Sequence, residues 1–218
     1  MNYFEFIKHN DKSIEELREY FQVNFSDYYD LWRKGYWNSK FTGVGMAVAL
    51  YLTGYIHSKR PKYIVEYGSG VTTLLMSTIL KDLNYGGNLI SFEDNKKYYE
   101  IGKNSGFYKN SNVYLVDVKI NDDQTCYYDH DMSLINGVDF VLDDGPDIAK
   151  YNCNASTNMV KIKEHFNTDF SFLIDGRIQQ QRYYKSLFGD KVQSDWIGID
   201  KTKEFKREDG YKCGIGTI

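Results

Sequence analysis

The sequence predicts an α/β fold with a mostly parallel sheet and helices on both faces. From residue 62 onward, short β-branched apolar runs alternate with segments of helical length, and such alternation builds parallel sheets through right-handed crossovers. The last two strand-like runs have no helix between them, so we expect an antiparallel pair there. At 218 residues, the chain is long enough for one domain with a sizeable core.

Residues 1–60 predict a helical extension that belongs to the same domain. Residues 13–23 carry apolar residues at helical spacing. Residues 26–43 are dense in aromatic residues and show no clean period. Residues 43–56 are apolar but shorter than the roughly 20 residues that span a bilayer, so they predict a buried helix.

Residues 61–218 are expected to form the core of the domain, with seven strands. The five expected parallel strands are residues 62–68, 87–94, 112–118, 137–146 and 169–176. The expected helices between and after them are residues 72–83, 95–106, 156–166 and 179–188. The final antiparallel pair is expected at residues 192–200 and 211–218.

Charge and cysteine content exclude several classes of function. The formal net charge is −3, and Lys and Arg are scattered, so no nucleic-acid partner is expected. The first twelve residues lack the apolar centre of a signal peptide, so we expect a cytoplasmic protein without a membrane segment. Cys126, Cys153 and Cys213 form no C-x-x-C pair, which argues against a disulfide framework or a zinc site.

Every one of the five predicted parallel strands ends in an acidic residue. In chain order these residues are Glu66, Glu93 with Asp94, Asp117, Asp143 with Asp144, and Asp175. Ligands of open parallel sheets bind beyond the carboxyl ends of the strands. The acids are therefore the first candidates for a functional site.

The turn after the first strand departs from the dinucleotide-binding fingerprint. That fingerprint requires G-x-G-x-x-G/A, whereas Gly68 and Gly70 are followed by Thr73 at the third position. A pyrophosphate would also be repelled by Glu66. These features disfavour a NAD(P)-dependent oxidoreductase and favour a cationic ligand without phosphate.

Residues 65–73, Val-Glu-Tyr-Gly-Ser-Gly-Val-Thr-Thr, resemble the first motif of the class I S-adenosylmethionine-dependent methyltransferases. The resemblance covers residues 59–218 and includes the final antiparallel pair. It implies a Rossmann-like, mostly parallel seven-stranded sheet with an antiparallel last strand. It also implies a small-molecule methyltransferase. The sequence departs from the motif at Thr72, where the family often has a third glycine.

The resemblance also implies a set of cofactor contacts. Glycines let the backbone approach the ligand, and the free N–H groups at the start of the next helix bind the methionine carboxylate. Glu66 would face the amino group and sulfonium, Glu93 would accept from both ribose hydroxyls, and Asp117 would read the adenine. The whole predicted cofactor set is Glu66, Gly68, Ser69, Gly70, Thr72, Thr73, Glu93, Asp94, Asp117, Val118 and Asp143.

Two of these residues have a simpler alternative. Asp94 could replace Glu93 as the ribose contact, or it could only cap the helix that follows. Ser69 could likewise act only as a helix cap. Glycines, Glu93 and Asp117 on consecutive strands are harder to explain as caps.

Asp143, Asp144 and Asp175 are the predicted catalytic residues. In the family, the end of the fourth parallel strand faces the transferable methyl group, so a carboxylate there is placed to act as general base. Asp144 or Asp143 with Asp175 also resembles the acid placement of Mg²⁺-dependent catechol-type O-methyltransferases. Gly176 stands where those enzymes usually have Asn. The alternative for Asp175 is a cap on the next helix.

Arg177 and His130 are predicted substrate contacts. Arg177 could bind an anionic group of the acceptor, or it could lie on a solvated helix face. His130, between two aspartates, could be a base or lie in a solvated loop. Trp32, Tyr36 and Trp37 could form a lid over the acceptor or pack beside the sheet.

The best interpretation is O-methylation of a small molecule, such as a sugar, by in-line methyl transfer from S-adenosylmethionine. One alternative is a polyamine-synthase-like aminopropyltransferase, but the amino-terminal β-hairpin domain usual in those enzymes is not visible. Another is a non-catalytic binding or assembly protein of the same fold. The aromatic amino-terminal region could also form a homodimer interface.

Overall fold

The computed structural model describes residues 14–38, 44–175, 177–197 and 211–218. Its helices are α1 (Ile14–Asn24), α2 (Ser26–Asn38), α3 (Met46–Lys59), α4 (Val71–Leu83), α5 (Lys96–Asn104), α6 (Asn158–Phe166) and α7 (Ile178–Phe188). Its strands are β1 (Tyr63–Tyr67), β2 (Asn88–Glu93), β3 (Asn112–Leu115), β4 (Asp117–Ile120), β5 (Thr125–Asp129), β6 (Phe140–Asp143), β7 (Ala155–Ser156), β8 (Ser171–Ile174), β9 (Val192–Ile197) and β10 (Tyr211–Thr217). No helix in the described part of the chain is both long and apolar enough to cross a membrane.

The main sheet has seven strands in the order β3-β2-β1-β6-β8-β10-β9. Strands β3, β2, β1, β6 and β8 are parallel to one another, and β10 runs antiparallel to both β8 and β9. This arrangement confirms the predicted mostly parallel sheet with an antiparallel last strand. The chain order reverses its direction between β1 and β6, which is where open sheets of this kind hold ligands.

A second sheet of three strands, β4-β5-β7, was not predicted. The predicted third strand, residues 112–118, ends at Leu115, and Asp117 begins β4, which pairs with β5 as a hairpin. Gln124 in the connecting turn has a φ of 62°. The alternation on either side of this turn is short and interrupted by polar residues, so it does not stand out in the sequence.

The sheet separates two hydrophobic cores. Ile64 of β1 packs in the core shared with α1 to α4, whereas Val65 and Tyr67 pack in the core on the opposite face. This alternation is expected because successive side chains of a strand point to opposite faces. Helices therefore cover both faces, as predicted.

The aromatic segment without a clean period forms helix α2. Tyr29 and Trp32 are buried on one side of α2, while Asp30 and Arg33 are exposed on the other. A Cβ atom on Gly35 would lie 3.0 Å from Val71 Cγ1, so α2 crosses close to the first residue of α4. The helical period was hidden because Tyr28, an aromatic residue, occupies a partly exposed position of α2.

Candidate functional site

The carboxyl ends of four parallel strands meet at one edge of the main sheet. Tyr67 at the end of β1 is in register with Phe92 of β2 and with Asp143 of β6. Asp143 is in turn in register with Ile174, the last residue of β8. The acids predicted from the sequence at the ends of these strands are therefore neighbours in space.

Glu66 lies beneath the turn after β1 and is completely buried. Its Oε1 accepts a hydrogen bond from Thr72 Oγ1 at 2.5 Å, and its Oε2 accepts one from Thr73 Oγ1 at 2.6 Å and another from the hydroxyl of Ser91. Burial raises the pKa of Glu66 to about 7, although the three hydroxyl groups oppose this shift. Glu66 thus ties the start of α4 to β1 and β2, and its effect on a ligand stays a prediction.

The two glycines of the turn meet different surroundings. Gly68 has a φ of 92°, which favours glycine, and a Cβ atom there would lie 2.8 Å from the carbonyl oxygen of Asp144. Gly70 has an extended backbone, and a Cβ atom on it would meet no described atom within 4 Å. Gly68 therefore allows the loop after β6 to pack against the turn, while Gly70 borders open space.

Glu93 at the end of β2 binds the same turn. Its Oε2 accepts from the N–H and the hydroxyl of Ser69, both at 3.0 Å, and its Oε1 accepts from the N–H of Asn95 at 2.8 Å. Burial raises the pKa of Glu93, against the hydrogen bonds from Asn95 and Ser69. Ser69 therefore fixes the orientation of Glu93, which is more than the capping role considered for it.

Asp94 is not the cap of the helix that follows it, and three other side chains bind it. The cap of α5 is Asn95, whose side chain accepts from the N–H of Lys97 at 3.0 Å. Asp94 Oδ1 accepts from Tyr128 Oη at 3.0 Å, and Oδ2 accepts from Lys150 Nζ at 2.7 Å and Tyr151 Oη at 2.5 Å.

The protonation of Asp94 follows from these contacts. Burial alone would raise the pKa of Asp94, but the hydrogen bonds from Lys150, Tyr151 and Tyr128 outweigh it and lower the pKa. The carboxylate therefore stays charged and ties the end of β2 to the loop after β6. Oδ1 accepts one hydrogen bond from the described residues, and the role of Asp94 as a cofactor contact stays a prediction.

Asp117 and Val118 lie in β4 rather than at the end of the third parallel strand. Asp117 is exposed and is in register with Asp129 of β5. Val118 is half-buried and packs against both the core that contains Tyr67 and the small cluster around Cys126. Both still follow the carboxyl end of β3, and their roles toward an adenine stay predictions.

Asp143 is a buried acid with one unsatisfied oxygen. Its Oδ1 accepts from Asn158 Nδ2 at 3.2 Å, while its Oδ2 has no partner among the described residues. Burial raises the pKa of Asp143 to about 6, against the hydrogen bond from Asn158 and the charge of Arg177. A buried carboxylate of this kind can exchange a proton near neutral pH.

Asp144 and Asp175 form a neighbouring pair of acids. Burial, and then the nearby Asp175, raise the pKa of Asp144 well above its usual value, against the charge of Arg177. The Asp144 side chain is 22% exposed, whereas the Asp175 residue is 8% exposed and its Oδ1 has no described partner. Of the three predicted catalytic acids, Asp144 is thus the most exposed, and the catalytic role of all three stays a prediction.

Asp144 and Asp175 are the two acids of the predicted metal site. Among residues 14–38, 44–175, 177–197 and 211–218, no group of three or more His, Cys, Asp or Glu side chains is placed to hold a metal ion. Asp144 and Asp175 are brought together, as predicted, but as a pair. Gly176 lies outside the described residues.

Arg177 faces the protein in this structure. Its guanidinium donates to the carbonyl oxygens of Asp144 and Pro146, and Nη2 lies 3.4 Å from Asp144 Oδ1. Arg177 is half-buried, with its guanidinium engaged by the loop after β6. It holds the loop after β6 in place, and contact with a substrate stays a prediction.

His130 packs on aromatic residues of the core that contains Tyr67. Its ring stacks on Phe92 with centroids 3.9 Å apart, and its Nε2 lies 3.1 Å from Tyr67 Oη. Burial lowers the pKa of His130, so the neutral ring is favoured. The residue is part of the fold rather than of a solvated loop.

Trp32 is a core residue and not part of a lid. It is 5% exposed, and its Nε1 donates to the carbonyl oxygen of Val44 at 3.0 Å. The side chains of Tyr36 and Trp37 lie outside the described part of the chain. The interpretation as packing beside the sheet is therefore correct for Trp32.

Sequence reasoning missed several residues of this region. They are Ser91, which supports Glu66; Tyr108, which contacts Ser69; Tyr128, Lys150 and Tyr151, which bind Asp94; and Asn158, which binds Asp143. Ser91 alone had a signal, since it is a polar residue within an apolar strand. The others are distant in sequence from their partners.

The fold is shared with solved structures, whereas no protein-family model and no curated protein matches the sequence. An O-methyltransferase of tomaymycin synthesis from Streptomyces achromogenes, TomG, solved with S-adenosylmethionine, aligns over 88% of this chain and 89% of its own at 12% identity and a TM-score of 0.52. A protein from Klebsiella pneumoniae assigned as an O-methyltransferase aligns over 87% of each chain at 11% identity and a TM-score of 0.53.

A third structure extends the alignment over nearly the whole chain. It is a protein from Staphylococcus aureus assigned as a caffeoyl-CoA O-methyltransferase, which covers 97% of this chain and 96% of its own at 14% identity and a TM-score of 0.51. Identities this low show the fold alone. The three alignments, together with the strand order and the turn after β1, show that this chain has the fold of the class I S-adenosylmethionine-dependent methyltransferases.

Proposed function

We propose that this protein is an S-adenosylmethionine-dependent methyltransferase that acts on the oxygen of a small-molecule acceptor. The observation that carries the proposal is the turn after β1. Its backbone borders open space at Gly70. Two buried acids accept hydrogen bonds from it: Glu93 from Ser69, and Glu66 from Thr72 and Thr73. This is the kind of site that suits a cationic, phosphate-free ligand.

The residues of the turn fit S-adenosylmethionine. Gly70 leaves room for a ligand at the backbone, and Glu93 Oε1 accepts only one hydrogen bond from the described residues, so it has a lone pair left for a ligand hydroxyl. When bound, the cofactor would supply an electrophilic methyl group.

Asp144 is the proposed general base. It follows the last residue of β6 and is more exposed than Asp143 and Asp175, the other two acids. Its raised pKa suits the removal of a proton from an acceptor hydroxyl, an effect worth roughly 10²–10⁴-fold. Because a base must be ionised to act, we expect the rate to rise as the pH rises through the pKa of Asp144.

Orientation would supply much of the remaining acceleration. Holding the acceptor in line with the transferred methyl group contributes roughly 7–11 kcal/mol in well-oriented reactions. Arg177 contributes by fixing the loop that carries Asp144. The acceptor class rests on analogy with the O-methyltransferases of the same fold and on the scattered surface charge.

Titration with S-adenosylhomocysteine by calorimetry tests the proposal. We expect micromolar binding by the wild-type protein and its loss in Glu93→Ala, because the ribose contact is removed. Repeating the titration with Mg²⁺ tests whether the Asp144 and Asp175 pair makes binding depend on a metal ion. A folded wild-type protein that does not bind the ligand would rule out the methyltransferase proposal and favour an assembly role for the fold.

A further inference from the structure

Tyr108 contacts the turn after β1 from the loop that follows α5. Its Oη lies 2.6 Å from Ser69 Oγ, although the two residues are 39 positions apart in the chain. A Cβ atom on Gly102 would overlap the Tyr108 phenol, so the absence of a side chain at Gly102 makes room for the ring. The ring of Tyr99 lies beside it, with centroids 5.8 Å apart. The position of the Tyr108 ring is therefore set by the space at Gly102, the ring of Tyr99 and the hydroxyl of Ser69.

The direction of the hydrogen bonds follows from the groups involved. The Ser69 hydroxyl has one proton, which it donates to Glu93 Oε2 at 3.0 Å. Ser69 Oγ must then accept from the Tyr108 phenol. Burial raises the pKa of Tyr108, so the phenol stays protonated and can donate throughout the physiological range. The result is a chain of donors that runs from Tyr108 through Ser69 to Glu93.

These hydrogen bonds give the two oxygens of Glu93 different partners. Oε2 already accepts two hydrogen bonds, both from Ser69, which uses both of its lone pairs. Oε1 accepts one hydrogen bond, from Asn95, among the described residues. One lone pair of Oε1 is therefore open to a ligand, and a pairing of Glu93 with both ribose hydroxyls has no second acceptor.

We propose that Tyr108 is a positioning residue for the ribose of the cofactor: it holds Ser69 and Glu93 so that Glu93 Oε1 accepts from a single ribose hydroxyl. This inference rests on the proposed function. It replaces the expected contact with both hydroxyls by a contact with one. It also assigns to Tyr108 a role that acts through Ser69 and not through direct contact.

Deoxy analogues of S-adenosylhomocysteine test the single-hydroxyl contact in the wild-type protein. We expect the affinity for one of the 2′-deoxy and 3′-deoxy analogues to fall by roughly tenfold, and the affinity for the other to fall by less than about threefold. The reason is that only one ribose hydroxyl donates to the Glu93 carboxylate, and a hydrogen bond to a charged group is stronger than one to a neutral group. Equal losses for both analogues would overturn the single-hydroxyl contact. This experiment uses only the wild-type protein, so its result does not depend on the folding of a variant.

Tyr108→Phe tests the positioning role, because it keeps the ring and its packing and removes only the phenol. We expect S-adenosylhomocysteine to bind roughly three- to tenfold more weakly, while the affinity for the weaker deoxy analogue stays within about twofold of the wild-type value. Tyr85→Phe is the matched control. The Tyr85 phenol donates to the carbonyl oxygen of Pro61 at 2.9 Å, at the opposite end of β1, so no change is expected.

The outcomes separate the two proposals. An unchanged affinity in Tyr108→Phe, or an equal loss for S-adenosylhomocysteine and the weaker deoxy analogue, would overturn the role of Tyr108 and leave the methyltransferase proposal intact. Absence of binding by the wild-type protein would instead overturn the proposed function itself. The wild-type titration alone distinguishes these cases.

Discussion

Glu66 shows how burial sets the protonation of one side chain. The residue is fully buried, and its pKa rises from 4.5 to about 7 because the charged form is poorly solvated there. Three hydroxyl donors oppose the shift but do not cancel it. Between these two pH values the folded protein therefore holds a proton that the unfolded chain has released.

The pH dependence of stability follows from this difference. The stabilisation that this group contributes is complete below pH 4.5 and is lost as the pH rises through about 7. Glu66→Gln has no such titration. We expect the free energy of unfolding of the variant, relative to wild type, to rise by up to about 3 kcal/mol between pH 5 and pH 8.

Urea unfolding of both proteins at pH 5 and pH 8 measures this change. Glu100→Gln, which removes an exposed carboxylate on α5, is the control. If the difference between Glu66→Gln and wild type were the same at both pH values, burial would not be setting the protonation of Glu66.

At the scale of elements, the loop between β6 and β7 is held by the end of β2. The loop after Asp143 packs against the turn at Gly68, and Lys150 and Tyr151 bind Asp94. The Asp94 side chain is only 7% exposed, so its charge depends on these donors. The loop that carries the proposed base is thereby tied to the strand that carries the proposed ribose contact.

Removing the ammonium group should loosen this loop. In Lys150→Met we expect faster amide hydrogen exchange in residues 144–154 and a loss of about 1–3 kcal/mol in the free energy of unfolding, because a buried carboxylate loses a charged donor. Lys163→Met is the control. It breaks the ion pair of Lys163 Nζ with Asp169 Oδ1 at 2.8 Å, but the Asp169 side chain is 74% exposed, so little change is expected. Equal effects of the two variants would contradict the proposed role of Asp94.

At the scale of the whole molecule, the amino-terminal helices share one core with the sheet. Leu17 and Phe21 of α1 are buried in the same cluster as Leu50 of α3, Leu75 of α4 and Ile64 of β1. We propose that residues 1–218 fold as one cooperative unit in which the extension is part of the domain. A shared core favours such cooperativity, since no element can bury its apolar face alone.

Phe21→Ala tests this cooperativity. We expect it to lower the free energy of unfolding by roughly 3–5 kcal/mol, because the side chain is fully buried and stacks edge-on against Tyr29. Amide exchange should speed up in β1 as much as in α1. Val23→Ala in the same helix is the control, since Val23 is 75% exposed. Unchanged protection in β1 with Phe21→Ala would mean that the extension unfolds separately.

Periodicity and strand-end chemistry determined much of this protein from the sequence. The five parallel strands, the final antiparallel pair and the place of Glu66, Glu93 and Asp143 at one edge all follow from short apolar runs that end in acids. These features are local in the chain, so the pattern of neighbouring residues contains them. The hairpin of β4 and β5 was missed, and the bounds of α2 within the predicted helical extension were not found, where that local pattern is irregular.

Only the tertiary structure decided which partner each acid has. Asp94 binds Lys150 and Tyr151, more than fifty residues away, and Ser69 joins Tyr108 to Glu93. Such contacts depend on how loops fold back over the sheet, and they leave no period or spacing in the sequence. The physical reason is that a side chain's type sets what it can bind, whereas its burial and neighbours, which decide its charge and role, come from parts of the chain that meet only on folding.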